Sequence, residues 1–274
     1  KELLSKEIKI RKEAQDNLEI KIAERTKELV LKNEELELKN HELQQFAWVV
    51  SHDLNEPIRK IQIFIKIIKE LYLKDDEKGI NYVDRTIKSA ERMQTLITDL
   101  LAYSRLSAQV KPEVTDLNIV LQEVLSDFDY LIERKNAAVK TTELPTIDSI
   151  PSQLRQVFQN LIGNALKFSG VNEPPLIEIT SELIVDKSFD SPTSPEGKFC
   201  RIIVKDNGIG FDEIYLDRIF IIFQSLNDRQ TYEGTGIGLA IAKKIIEKHN
   251  GLITAKSEVG KGASFIIVLP LKYE

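Results

Sequence analysis

The sequence predicts an all-helical region followed by an α/β domain, and three features carry that reading. Residues 1 to about 50 contain no proline or glycine and alternate lysine with glutamate. Two amphipathic helical patterns follow, separated by a short charged turn. Beyond Pro112, apolar strands and helical stretches interleave without a regular strand–helix–strand beat. That mixture favours a two-layer α/β sandwich over a doubly wound sheet.

The first segment reads as one long helix. Ile22, Leu29, Leu36, Leu43 and Val50 recur every seven residues, and taking them as d positions places Thr26, Asn33, Asn40 and Ala47 at a. A seam with two asparagines fixes register and favours a parallel homodimer at some cost in stability. A solvated single helix would not need five evenly spaced apolar residues. The phase carries His52 to position f, facing outward, so it is expected to be exposed rather than a buried core histidine.

After Pro57 the apolar pattern thickens through Ile58, Ile61, Ile65, Ile68 and Leu71. "KDDEKG" (residues 74–79) reads as a charged turn ending in glycine. A second helix then carries Val83, Ile87, Ala90, Met93, Ile97 and Leu101. A lone helical hairpin cannot bury two broad apolar faces, whereas two copies make a four-helix bundle. Pro112 marks a boundary. Next come a helix capped by Asp116, a short strand around Val139 and a helix entered at Pro151. Two strands flank a Ser-, Pro- and Asp-rich stretch (186–197) that reads as an exposed hairpin loop. A third helix, from about Gly236 to Lys248, precedes a terminal hairpin. The expected division is residues 1–45 as coiled coil, 46–110 as helical hairpin and 111–274 as α/β domain.

Composition bounds what such a chain does. With 38 basic and 43 acidic residues among 274, the net charge is −5, which argues against general nucleic-acid affinity. No apolar run approaches the roughly 20 residues a membrane helix needs. The chain opens on Lys1 without a signal peptide, so the expectation is a cytoplasmic fragment of a longer protein that could be anchored upstream. Its single cysteine, Cys200, lies in "FCRIIV" and excludes an intrachain disulfide. A buried structural thiol is expected there.

Three clusters in the second half need a joint explanation. In "QNLIGNALKF", Asn160, Asn164 and Lys167 stand at i, i+4 and i+7, on one helix face opposite Leu161, Leu166 and Phe168. Two amides and an ammonium on one stripe can offer oxygen to a hard cation such as Mg²⁺ and positive charge to phosphates. A solvated polar face accounts equally well for that stripe alone. In "VKDNGIGFD", a strand runs into Asp206, Gly208 and Gly210. The glycines allow close backbone approach, and the carboxylate can accept from an amino group, although a plain turn also fits. In "GTGIGLA", Gly234, Gly236 and Gly238 open a helix whose first N–H groups attract phosphate. The preceding "NDRQTYE" is no strand, which removes a dinucleotide fingerprint. Walker and eukaryotic protein-kinase signatures are absent too.

Together, in this order, the clusters resemble the sensor histidine kinases. "SHDLNEP" is similar to the phosphoacceptor box of the HisKA dimerisation domain, and "NLIGNALKF" to the N box. "DNGIG" resembles the first glycine box, "IFIIF" (219–223) the phenylalanine box and "GTGIGLA" the second glycine box. The closing "GKGASFIIVLP" is also typical of the family's ATP-binding domain. The resemblance covers residues 46–274.

The resemblance implies ATP and Mg²⁺ as cofactors and a response-regulator receiver domain as partner, with a sensor domain upstream. His52 would be the phosphorylated nucleophile and Asp53 the acid that orients or deprotonates its ring. Asn164 would ligate Mg²⁺, with Asn160 and Lys167 near the phosphates. Phe168 would belong to the same pocket, and Asp206 would accept from the adenine amino group. Gly208, Gly210, Gly234, Gly236 and Gly238 would shape the pocket. Residues 211–233 would form a lid over ATP, with Arg229 a phosphate contact within it. A neutral imidazole is a competent nucleophile near pH 7, and in-line positioning with charge neutralisation supplies the rest.

Two positions depart from the family. Glu56 stands where members that dephosphorylate their partner carry Thr or Asn, and an acid there would repel a phosphoaspartate. Ile222 replaces the proline of F-x-P-F in the phenylalanine box, so the lid hinge is expected to differ. A non-catalytic, nucleotide-binding dimeric scaffold is the competing reading. A chaperone- or repair-type ATPase is disfavoured by the helical hairpin.

Overall fold

A computed structural model describes residues 11–12, 15, 18–19, 21–22, 25–32, 54–70, 72–73, 76–106, 110–170, 173–224, 226 and 235–272. The chain divides into two compact units, Lys1–His52 and Asp53–Glu274. In the first, residues 25–32 are helical, as the heptad pattern predicts. Glu28 pairs with Arg25 at 2.6 Å and Lys32 at 3.1 Å, the spacing that supports an exposed helix. The d residues Ile22 and Leu29 are exposed within a single chain. Asn33, Leu36, Asn40, Leu43, Ala47 and Val50 lie outside the described residues.

In the second unit, residues 54–70 form α1 and Glu77–Arg105 form α2. Asp76, not the glycine, ends the turn. Its carboxylate caps α2 by accepting the N–H of Gly79 at 3.0 Å, so Gly79 lies in the first helical turn. Two polar contacts align the antiparallel pair: Lys69 with Asp84 at 2.6 Å and Gln62 with Gln94 at 3.3 Å. Ile58 and Ala90 are buried, whereas Ile61, Ile63, Phe64, Ile67 and Ile68 stay exposed. One hairpin therefore leaves an apolar face uncovered.

The α/β part holds β1 (Glu113–Asp116), α3 (Leu117–Arg134), β2 (Ala138–Thr141), β3 (Thr146–Ser149) and α4 (Pro151–Lys167). After them come β4 (Leu176–Ile184), β5 (Phe199–Asp206), a 3-10 turn (Glu213–Tyr215), α5 (Gly238–Lys248), β6 (Leu252–Glu258) and β7 (Gly262–Pro270). The main sheet has the order β2-β4-β5-β7-β6, with only the β2–β4 pair parallel. On β5, alternation turns Cys200, Ile202, Val204 and Asp206 to the buried side. Cys200, Ile202 and Val204 share one core with Leu154, Leu161 and Ala165 of α4 and Ile241 and Ile245 of α5. Each such Leu or Ile contributes about 1.5–3 kcal/mol by leaving water. This is the expected two-layer sandwich.

Two short strands escaped the sequence pattern. β1 and β3 pair antiparallel apart from the main sheet, and four residues are too few to show alternation. α5 begins at Gly238, two residues later than expected. The 186–197 stretch is a loop pinned by Arg201, which donates to the carbonyls of Phe189 and Ser191 and pairs with Glu182. Cys200 is fully buried, and burial pushes its thiol pKa up to about 12. No helix among the described residues is long and apolar enough to cross a membrane.

Candidate functional site

α4 starts with Pro151 at its first position, where a missing N–H costs nothing. Its buried stripe of Leu154, Val157, Leu161 and Ala165 fixes the helix rotation and turns Asn160, Asn164 and Lys167 the other way. All three line a cavity of about 310 Å³, together with Phe168, Asp206, Gly210, Gly236 and Gly238. The three sequence clusters thus converge on one site.

The carboxylate of Asp206 is buried at the end of β5. Its Oδ1 accepts the backbone N–H groups of Gly208 at 2.8 Å and Ala263 at 3.2 Å. Burial raises its pKa, and these two hydrogen bonds oppose that rise. Asn207 ties the loop down, accepting from the Leu176 N–H and donating to Pro174 O. Phe168 O, just past α4, accepts the Ile209 N–H at 2.9 Å, so the N box and first glycine box are joined through backbone. Gly208 lies behind Asp206, and a Cβ there would stand 2.5 Å from Phe168 O. Lys167 Nζ sits 4.3 Å from the centre of the Phe168 ring.

The second glycine box brings α5 against α4. A Cβ at Gly238 would approach Asn160 Oδ1 to 3.0 Å, so the two helices touch beside the cavity. Asn160 Nδ2 is buried there without a hydrogen-bond partner. A buried amide N–H left unbonded is costly and points to an acceptor on a ligand. The base of the expected lid is held at Phe223, whose N–H donates to Gly236 O at 3.0 Å from a left-handed conformation (φ 65). Ile222, the departure from the proline, is on its exposed side.

His52, Asp53, Arg229 and Gly234 lie outside the described residues, as does most of the 225–233 stretch of the lid. Phe211, Gln224 and Leu226 of the expected lid segment also line the cavity, and sequence reasoning missed Asp99, Thr235 and Phe265, which line it too. Thr235 sat inside a recognised box and was passed over for its glycines. Asp99 carries no local signal at all, since its neighbour Thr235 is 136 positions away.

Residues 149–273 match the family described as histidine kinase-, DNA gyrase B- and HSP90-like ATPase, and residues 42–109 match the His Kinase A (phospho-acceptor) domain. The chain belongs to the sensor histidine kinases. It is 38% identical to cyanobacterial phytochrome A of Nostoc sp. strain PCC 7120 over 84% of its length and 28% of that protein. It is 32% identical to the sensor protein kinase WalK of Staphylococcus haemolyticus, over 83% of the chain and 36% of the relative. The chain thus spans about a third of these curated relatives. Among solved structures it resembles the histidine kinase ThkA in complex with the response regulator protein TrrA. That match has a TM-score of 0.56 and 27% identity, covering 83% of this chain and 61% of that one. Along this chain the phosphoacceptor-type match precedes the ATPase-type match.

Proposed function

We propose that the chain is the kinase core of a two-component sensor: it phosphorylates its own His52 from ATP and passes the phosphate to an aspartate of a response-regulator receiver domain. The convergence of Asn160, Asn164, Asp206, Gly210, Gly236 and Gly238 on one cavity carries this reading. The His Kinase A (phospho-acceptor) match, whose span includes residue 52, supports His52 as the acceptor. Residues 1–45 act as the coiled coil relaying a signal from an upstream sensor domain. Residues 46–110 dimerise and carry His52, and residues 111–274 bind ATP, on the cytoplasmic side where ATP is available.

The uncovered apolar face of α1 supports a parallel homodimer, in which two hairpins close a four-helix bundle. In the pocket, Asp206 accepts from the adenine amino group, while Asn160 and Lys167 meet the phosphates, joined by Arg229 from the lid. Gly208, Gly210, Gly234, Gly236 and Gly238 let the backbone close on the nucleotide. Mg²⁺ fits the amide oxygen that Asn164 can offer to the cavity, while the orphaned N–H of Asn160 suits a phosphate oxygen as its acceptor. Bound there, the ion would neutralise charge on the transferring phosphate. Phosphate and water oxygens would complete its shell, as a hard cation prefers. Asp53 beside His52 fixes the ring tautomer and stabilises the developing cation.

Incubation with labelled ATP tests the reading. Wild type gains acid-labile, base-stable phosphate, and His52→Gln gains none. Equal labelling of the variant, or no labelling of wild type, would leave a nucleotide-binding dimeric scaffold as the better account.

A further inference from the structure

α2 carries two stripes. One, through Val83, Ile87, Ala90 and Ile97, belongs to the hairpin. The other, near the C-terminal end, consists of Leu96, Asp99, Tyr103 and Leu106, at the i, i+3, i+7 and i+10 positions of one helix face. Leu96 and Tyr103 pack on the α/β core and Leu106 is part of it. Two lysines of α5 hold this stripe by its last carbonyls. Lys244 Nζ donates to Tyr103 O at 3.1 Å and lies 4.0 Å from the Tyr103 ring centre, and Lys248 Nζ donates to Leu106 O at 2.7 Å. Cations on otherwise unpaired carbonyls at a helix C-terminus are favourable.

Asp99 is the exception in this arrangement. Its side chain lines the same cavity as Asn160, Asn164 and Lys167, and its Oδ2 accepts the hydroxyl of Thr235 at 2.6 Å. Thr235 stands three residues before α5 begins, where backbone N–H groups attract an anion. A carboxylate thus stands on the Thr235 side chain, just ahead of the helix N-terminus. Half-burial raises the pKa of Asp99, and its bond to Thr235 opposes the rise. Packing of α2 alone requires no acid at this position.

We propose that Asp99 is a built-in competitor of the nucleotide phosphates, so that triphosphate binding and the docking of α2 on α5 oppose each other. This rests on the assignment of the cavity to ATP. A triphosphate entering the docked form meets a half-buried negative charge, whose repulsion is stronger than in open solution. Undocking removes the charge and frees the Thr235 hydroxyl. By linkage, the triphosphate weakens docking by the same factor by which docking weakens it. Adenosine, which has no phosphates, is indifferent to Asp99.

Calorimetric titration of the whole chain distinguishes these cases, using adenylyl imidodiphosphate with Mg²⁺ and, separately, adenosine. Asp99→Asn keeps an acceptor for Thr235 and removes the charge. It is expected to bind the triphosphate analogue roughly tenfold tighter, with adenosine affinity unchanged within about twofold. Lys248→Met loosens docking without touching the cavity and also tightens the analogue, whereas simple loss of a positive charge would weaken it. Hydrogen exchange at residues 96–106 rises when the analogue is added and not with adenosine. Wild-type binding of the analogue with no gain in Asp99→Asn, or an equal gain for adenosine, overturns the competitor. Failure of wild type to bind either ligand overturns the ATP assignment itself.

Discussion

The Nε2 atom of His249 accepts the backbone N–H of Ile150 at 3.0 Å, while its Nδ1 faces Ile245 O at 2.8 Å. These partners require a neutral ring with its proton on Nδ1, donated within the last turn of α5. The ring thereby caps the entry of α4, whose N-cap, Ile150, has no side-chain hydrogen bond of its own. The two helices that meet at the cavity are thus tied together at their far ends by one histidine that has no part in the chemistry.

His249 predicts an acid-sensitive fold. Burial chiefly lowers its pKa from the ordinary 6.5, aided by the charge of Lys248 and opposed by the bond to Ile245 O. A lowered folded pKa means that the unfolded chain takes up a proton the folded chain refuses. Stability from this group is complete above about pH 6.5 and falls as pH drops below it toward the folded pKa. The slope is at most about 1.4 kcal/mol per pH unit. His249→Gln should flatten that segment of the stability–pH curve, measured by urea unfolding, and should cost about 1–3 kcal/mol at pH 7.5. A wild-type slope that survives the substitution would assign the acid sensitivity elsewhere.

Gly210 should not tolerate a side chain. Its φ is 62, and a Cβ would stand 2.1 Å from Glu258 O and 2.9 Å from Gly262 O. Gly210→Ala must move either its own loop or the β6–β7 turn, so a loss of about 3 kcal/mol or more is expected. The unfolding midpoint and nucleotide affinity should fall together, since the loop lines the cavity. A stable variant that binds normally would show that the loop adjusts freely.

Asn164→Asp should separate catalysis from assembly. Asn164 lies in the cavity, whose lining includes no residue of α1. A carboxylate in place of the amide adds repulsion toward phosphate. Autophosphorylation should drop at least about tenfold, while sedimentation still reports a dimer. Normal turnover would remove Asn164 from the metal-binding role.

What the sequence disclosed followed the range of its signals. Asn160, Asn164 and Lys167 share one helix face by local geometry, so their alignment was readable before any fold was known. The glycine boxes were readable because only glycine fits where backbone meets backbone. β1 and β3 were not, because they pair with one another outside the main sheet, across an intervening helix and strand. Asp99 and His249 were opaque for a different reason. Their roles depend on partners 136 and 99 positions away, and nothing in "ITDLLAY" or "EKHNG" announces either partner.

Cys200 should behave as an inert thiol. Its pKa of about 12 and complete burial leave almost no accessible thiolate at pH 8. An aromatic disulfide reagent should label none of it in the folded chain and one equivalent in guanidinium. Rapid labelling of the native protein would mean that β5 opens readily.

Glu56 bears on the opposing, hydrolytic step. It lies on α1, four residues beyond His52, with its side chain half exposed and 2.8 Å from Lys60. The exposed pair contributes at most a few tenths of a kcal/mol, so replacing Glu56 should leave stability almost unchanged. Its effect on a phosphoaspartate should be larger. A carboxylate repels that anion, whereas an amide or hydroxyl can hold a water in line with the acyl phosphate. Glu56→Asn and Glu56→Thr should therefore speed hydrolysis of a phosphorylated receiver domain on the order of tenfold, with His52 labelling retained. A wild-type chain that already dephosphorylates as fast as both variants would show that the acid is no barrier.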